Sequence, residues 1–132
     1  MAARQKSPSI LIVEDEAILR GLLVTTLQAE GYDVYEAKNG REGLAYALKR
    51  RPNLILLDIV MPEMSGMDML KRLRKDAWGR DASVILLTNL GDTESIESAK
   101  GFGVREYLVK SDWSLDELAE RIEELITAEG EN

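Results

Sequence analysis

The chain contains neither cysteine nor histidine. The first absence excludes disulfides, thiolate chemistry and zinc–thiolate sites. The second removes the usual general base, the Ser-His-Asp triad and imidazole ligation of a metal. Nor can such a chain itself carry a phosphohistidine. No apolar run approaches the roughly 20 residues that a membrane-spanning helix needs, and Met1-Ala2-Ala3-Arg4-Gln5-Lys6 has no signal-peptide pattern. Positive charge is in deficit. Lys and Arg total 17 against 24 Asp and Glu, a net charge of −7, so nucleic acid and anionic membrane surfaces are poor direct partners. The expected setting is the cytoplasm.

What is present suffices for one core. A length of 132 residues at 45% hydrophobic content is too little for two ordinary domains. There is no repeat, no low-complexity segment and no linker. Residues 1–8 are expected as a flexible tail, 9–128 as the folded domain and 129–132 as a frayed end.

Strand-like runs alternate with helix-period segments. The runs are Ser9–Val13, Asp33–Ala37, residues 54–57, residues 84–87 and Glu106–Val109. Helices are expected over residues 17–30, 41–50, 66–75, 93–100 and 115–128. Strand and helix alternating five times implies right-handed crossovers, hence an α/β fold with a doubly wound parallel sheet covered on both faces by five helices. The near-continuous apolar character of the first, third and fourth strands fits burial on both faces. Ser114 and Glu117 form a capping box ahead of an apolar stripe of Leu115, Leu118, Ile122, Leu125 and Ile126. Leu19, Leu22, Leu23 and Leu27 stripe the first helix, which Gly31 closes. The fourth helix is weak, with Ile96 and Ala99 nearly its only apolar contacts, which suits a moving part or merely a solvated edge.

Two apolar runs end in acid. Ile10-Leu11-Ile12-Val13 delivers Glu14 and Asp15, and Leu54-Ile55-Leu56-Leu57 delivers Asp58. Ligands of such sheets bind outside the carboxyl ends of the strands, where Thr88 and Lys110 also fall. Three carboxylates crowded at one edge are costly unless a cation sits among them. Magnesium, with its preference for oxygen ligands, suits two carboxylates and a carbonyl. An Asp carboxylate can attack phosphorus to give an aspartyl phosphate, with a Lys and a hydroxyl contacting the phosphoryl oxygens. Taken singly, Asp15 reads as a turn former, Lys110 as a surface lysine, Thr88 as a strand-end residue and Tyr107 as packing.

In order along the chain stand Ile10-Leu-Ile-Val-Glu-Asp-Glu16, Leu56-Leu-Asp-Ile-Val-Met-Pro-Glu-Met-Ser-Gly66, Leu86-Leu-Thr88 and Tyr107-Leu-Val-Lys110. With these motifs the chain resembles, over nearly its full length, a receiver domain of the two-component response regulators, of chemotaxis-receiver-like, flavodoxin-like fold. The resemblance implies strand order 2-1-3-4-5 and a phosphorylation-controlled signalling switch rather than an enzyme, with only self-phosphotransfer and slow autophosphatase chemistry. It implies that Asp58 accepts a phosphoryl group from the phosphohistidine of a histidine kinase or phosphotransfer protein. Glu14, Asp15, Asp58 and the Val60 backbone carbonyl would hold Mg2+, with Mn2+ as the substitute. Thr88 and Lys110 would contact the phosphoryl group, and Tyr107 would be the aromatic switch. The changed surface would be the fourth helix, fifth strand and fifth helix, read by a downstream protein target, an effector domain or a second copy in a phosphorylation-dependent homodimer. For that homodimer, Lys100, Arg105, Asp112 and Glu117 are candidate pairing residues.

The chain departs from the family pattern at four positions. Ser111 replaces the proline that often follows the lysine, so a trans bond is expected at Lys110–Ser111, a cis bond there costing about 3 kcal/mol. Asn89 stands where a small residue is usual. Val60 and Leu90, both apolar, occupy positions that tune dephosphorylation and cannot orient a water, so a long-lived phosphoryl state is expected. Two rivals remain. One is an interaction module of the same fold that signals without phosphorylation. The other is a haloacid-dehalogenase-like hydrolase, which needs a second Asp where Val60 stands.

Overall fold

The computed structural model of the chain describes residues 7–61, 63–89 and 91–130, the side chains at 93 and 128–130 excepted. Strands and helices alternate: β1 Ser9–Val13, α1 Ala17–Ala29, β2 Asp33–Ala37, α2 Gly40–Arg50, β3 Leu54–Asp58, α3 Gly66–Leu73, β4 Val84–Thr88, α4 Thr93–Lys100, β5 Glu106–Val109 and α5 Leu115–Gly130. Short 3-10 turns at Gly79–Asp81 and Lys110–Asp112 complete the path. All the strand pairs are parallel, in the order β2-β1-β3-β4-β5.

The alternation of strand side chains divides the core in two. Leu11, Val13, Ile55, Leu57, Val84 and Leu86 pack on α2, α3 and α4 through Ala47, Met69, Leu70, Leu73 and Ala99. Ile10, Ile12, Leu54, Leu56, Ile85 and Leu87 pack on α1 and α5 through Leu23, Leu27, Leu118 and Ile122. Each such fully buried aliphatic side chain is worth about 1.5–3 kcal/mol. β1, β3 and β4 lie inside the sheet, which is why their runs are apolar throughout.

The local signals explain the ends. Tyr32 N–H donates to Leu27 O and Gly31 N–H to Gln28 O, closing α1 with Gly31 at φ +98. Ser114 and Glu117 form the reciprocal cap of α5 at 2.8 and 3.1 Å. α3 stops at Leu73, two residues before the expected end. Asp76 there accepts from the Trp78 and Gly79 N–H groups and turns the chain. α5 runs two residues past the expected end. Leu22 is 49% exposed and Ile18 also faces out, so the buried stripe of α1 rests on Leu23 and Leu27. Trp78 and Trp113 pack partly buried against the two halves of the core. Pro8 O accepts from Asp33 N–H at 3.0 Å. Residues 1–6 and 131–132 of the expected tail and frayed end lie outside the described residues, as do Pro62 and Leu90. No helix among the described residues is long and apolar enough to cross a membrane.

Candidate functional site

The carboxyl ends of β1, β3, β4 and β5 bring four elements together. Asp58 is the last residue of β3 and Thr88 of β4, one position further inside their strands than the apolar runs mark. Their backbones stay in the ladder: Asp58 pairs with Leu87 and Thr88 with Val109. Glu14 follows β1 and is fully buried, while Asp15 is exposed. One carboxylate oxygen each from Glu14, Asp15 and Asp58 all lie within 4.8 Å of one another.

Lys110, half-buried at the start of its 3-10 turn, reaches both buried acids. Its Nζ is 2.9 Å from Glu14 Oε1 and 3.3 Å from Asp58 Oδ2. Glu14 Oε1 meets Lys110 as an ion pair and has no other polar partner among the described residues. Every described peptide bond is trans, including Lys110–Ser111. The absence of proline at 111 therefore does not stop Lys110 from reaching the cluster. Asp58 Oδ1 accepts from Val60 N–H at 3.2 Å, and Glu14 Oε2 from Glu16 N–H at 3.0 Å. Thr88 is fully buried and its Oγ1 has no hydrogen-bond partner among the described residues.

The electrostatics follow from three carboxylates facing one ammonium. Burial and the neighbouring Glu14 carboxylate push the Asp58 carboxyl from 3.8 up to about 7, against the opposing pull of Lys110 and the Val60 N–H. Burial lowers Lys110, but its contacts with Glu14 and Asp58 outweigh this and hold it above its ordinary value. The donor set is all oxygen, mostly buried and under-neutralised, with two buried acids against one lysine. These residues fit a hard divalent cation.

Tyr107 stands apart from the cluster. It is 42% exposed, paired in register with Leu86 and not with Thr88; Lys100 Nζ lies 5.9 Å from its ring centroid. Val60 has its side chain at the surface, 54% exposed. Of the residues offered for pairing between copies, Lys100 pairs with Glu97 at 3.0 Å, Arg105 donates to Leu125 O at 2.8 Å and Glu117 caps α5. All three are engaged within the chain.

Two supporting residues escaped the sequence. Arg20 donates to Glu14 O at 2.8 Å and pairs with Glu36 at 3.0 Å, holding the turn that carries Glu14 and Asp15. A basic residue one helical turn beyond an acidic cluster was the available signal. Gly66, the last residue of the second motif, packs against the site's backbone. A Cβ on it would lie 2.2 Å from Asp58 O, and its N–H donates to Ile59 O at 3.0 Å.

A doubly wound parallel sheet with a buried Asp, an acidic pair and a Lys at its carboxyl edge defines a class of phosphoryl-accepting switch domains, and the comparisons agree. The chain matches the response regulator receiver domain over residues 10–123. It is 35% identical over 121 residues to the DNA-binding dual master transcriptional regulator RpaA of Synechocystis, covering 90% of this chain and 49% of that protein. It superposes on a CheY-like receiver domain protein of Methanospirillum hungatei with a TM-score of 0.85 at 29% identity, covering 96% and 99% of the two chains. It also superposes, at 27% identity and a TM-score of 0.81, on the receiver domain of a sensor histidine kinase of Pseudomonas aeruginosa, solved with magnesium in its active-site cleft; 92% of this chain and 98% of that one are covered. The protein belongs to the receiver domain family of the two-component response regulators. It spans about half the length of the curated relatives it matches.

Proposed function

We propose that Asp58 is the phosphoacceptor of this receiver domain and that the residues around it form a magnesium-dependent phosphotransfer site. The observation that carries this reading is the Asp58 carboxyl itself: buried, ion-paired to Lys110 and gathered with Glu14 and Asp15. Glu14, Asp15, Asp58 and the Val60 carbonyl would hold the cation, with manganese as a substitute for magnesium, and a cation there would offset negative charge on the phosphoryl oxygens.

The rest is done by the chain. An Asp58 oxygen forms the O–P bond as the N–P bond of the donor phosphohistidine breaks, and the imidazole nitrogen leaves with the electron pair. Lys110, paired with Asp58 in the resting chain, turns to the phosphoryl oxygens, and the Thr88 hydroxyl donates to one of them. Thr88 and Tyr107 then rearrange together and alter the α4–β5–α5 face. The partner upstream is a histidine kinase or phosphotransfer protein. Downstream, a protein target, a DNA-binding effector region of the kind its longer relatives carry, or a second copy reads the altered face. Val60 cannot orient a water, so the phosphoryl group is long-lived.

Acetyl phosphate with magnesium tests the reading. Intact mass should rise by one phosphoryl group in the wild type and not in Asp58→Ala. Labelling at another residue, or none, contradicts it. An autodephosphorylation half-life of seconds contradicts the long-lived state.

A further inference from the structure

Asn39 and Gly40 open α2, a helix that contributes no side chain to the acidic cluster. The buried Asn39 side chain accepts from Glu42 N–H at 2.8 Å and caps the helix. Gly40 N–H then donates to Met64 O at 3.1 Å. Met64 belongs to the loop between β3 and α3, the segment that carries Val60. The contact leaves no room for a side chain, because a Cβ on Gly40 would lie 2.2 Å from Met64 O. The same loop is held from within by Gly66 N–H on Ile59 O at 3.0 Å. Between the two holds, Glu63 sits at φ +67, a conformation that a side chain disfavours and that persists where surroundings impose it.

We propose that Gly40 is a positioning residue for the cation site: by holding Met64 O it fixes the β3–α3 loop, and with it the Val60 backbone, against Asp58. This rests on the metal reading above. Supports of this kind, one shell removed from the ligands, set metal affinity because a displaced ligand carbonyl cannot be replaced without distorting a hard cation's coordination.

Calorimetric titration of the metal-free protein with magnesium chloride, run beside thermal melts, tests it in wild type, Gly40→Ala, Asn39→Ala and Gly79→Ala. Gly79 is the matched control. A Cβ there would also lie 2.2 Å from a backbone oxygen, that of Leu73, but at the opposite end of the sheet. Both glycine substitutions should lower the melting temperature, and Gly40→Ala alone should weaken magnesium binding, roughly tenfold. Asn39→Ala loosens the first turn of α2 without any collision and should weaken binding in the same direction; it decides the matter if Gly40→Ala does not fold. Unchanged magnesium affinity alongside a lowered melting temperature overturns the proposal, leaving Gly40 a structural residue. So does an equal loss in Gly79→Ala, since instability alone would then account for it. If the wild type binds no magnesium, the metal reading itself fails, and this inference with it.

Discussion

At the amino ends of the strands, Arg74 spreads its guanidinium over four carbonyls: Phe102 and Gly79 at 2.7 Å, Ala82 at 2.8 Å and Gly103 at 3.3 Å. Ser9 and Asn53 satisfy each other across the same edge. At the carboxyl ends, the Thr88 hydroxyl is buried with no hydrogen-bond partner among the described residues, Glu14 Oε1 has only an ion pair, and of three clustered carboxylates two share one lysine. One end of the sheet spends its polar groups on the fold. The other leaves them unspent, which is costly in the resting chain and useful only when a ligand arrives. The contrast teaches where stability and function sit: substitutions at the two ends should move stability in opposite directions.

The largest expected effect is at the amino edge. Arg74→Met strips the charged donor from four carbonyls and should destabilise by about 3 kcal/mol in urea unfolding. A loss near zero would mean that water replaces the guanidinium and that this edge is no anchor. Magnesium at 100 times its dissociation constant should stabilise the wild type by about 2.7 kcal/mol, and Asp58→Ala by far less. Equal stabilisation of both would place the ion elsewhere.

Removing Asp58 itself should stabilise the metal-free chain at pH 8, by about 1–2 kcal/mol through relief of the buried like charges. The pH dependence has a definite sign. Asp58 rises from 3.8 to about 7 on folding, so between those values the folded chain holds a proton that the unfolded chain has lost. Stability from this group is full below about pH 4 and is lost as pH rises through about 7. Asp58→Ala should remove that slope. Magnesium, which must displace the same proton, should bind more weakly as pH falls below about 7. A slope unchanged in Asp58→Ala would assign the titration to another group.

The smallest effects are single hydroxyls. Thr88→Val replaces an unpartnered buried hydroxyl with an apolar group of the same shape and should raise resting stability by about 1 kcal/mol. Ser9→Ala, which removes the hydroxyl that accepts from Asn53 N–H at 3.1 Å, should lower it by about 0.5 kcal/mol. The same sign for both in thermal melts would erase the contrast between the two edges.

The sheet was legible because β1, β3 and β4 are buried on both faces and their apolar runs have no other use. The acids at their ends were legible for the same reason, since polarity breaks the run where the ladder meets the site. The exact strand limits were not. Asp58 and Thr88 remain in the backbone ladder although their side chains belong to the site, and composition marks side chains rather than backbone pairing. Leu22 shows a second limit. A helical period identifies an apolar stripe but not how far neighbouring helices cover it. Arg74 and Gly40 were invisible because their partners are backbone carbonyls, Gly103 and Met64 among them, and carbonyls carry no sequence signature. The strand holding Tyr107 could be read, but not that its ring faces solvent in the resting chain.

Amide NMR of the chain, titrated first with magnesium and then with beryllofluoride, a mimic of the aspartyl phosphate, reads the acceptor site and the switching face together. Beryllofluoride-dependent shifts are expected at Asp58, Thr88, Lys110 and Tyr107, spreading into α4 and vanishing in Asp58→Ala. A response confined to weak magnesium binding, or one that survives in Asp58→Ala, would contradict it.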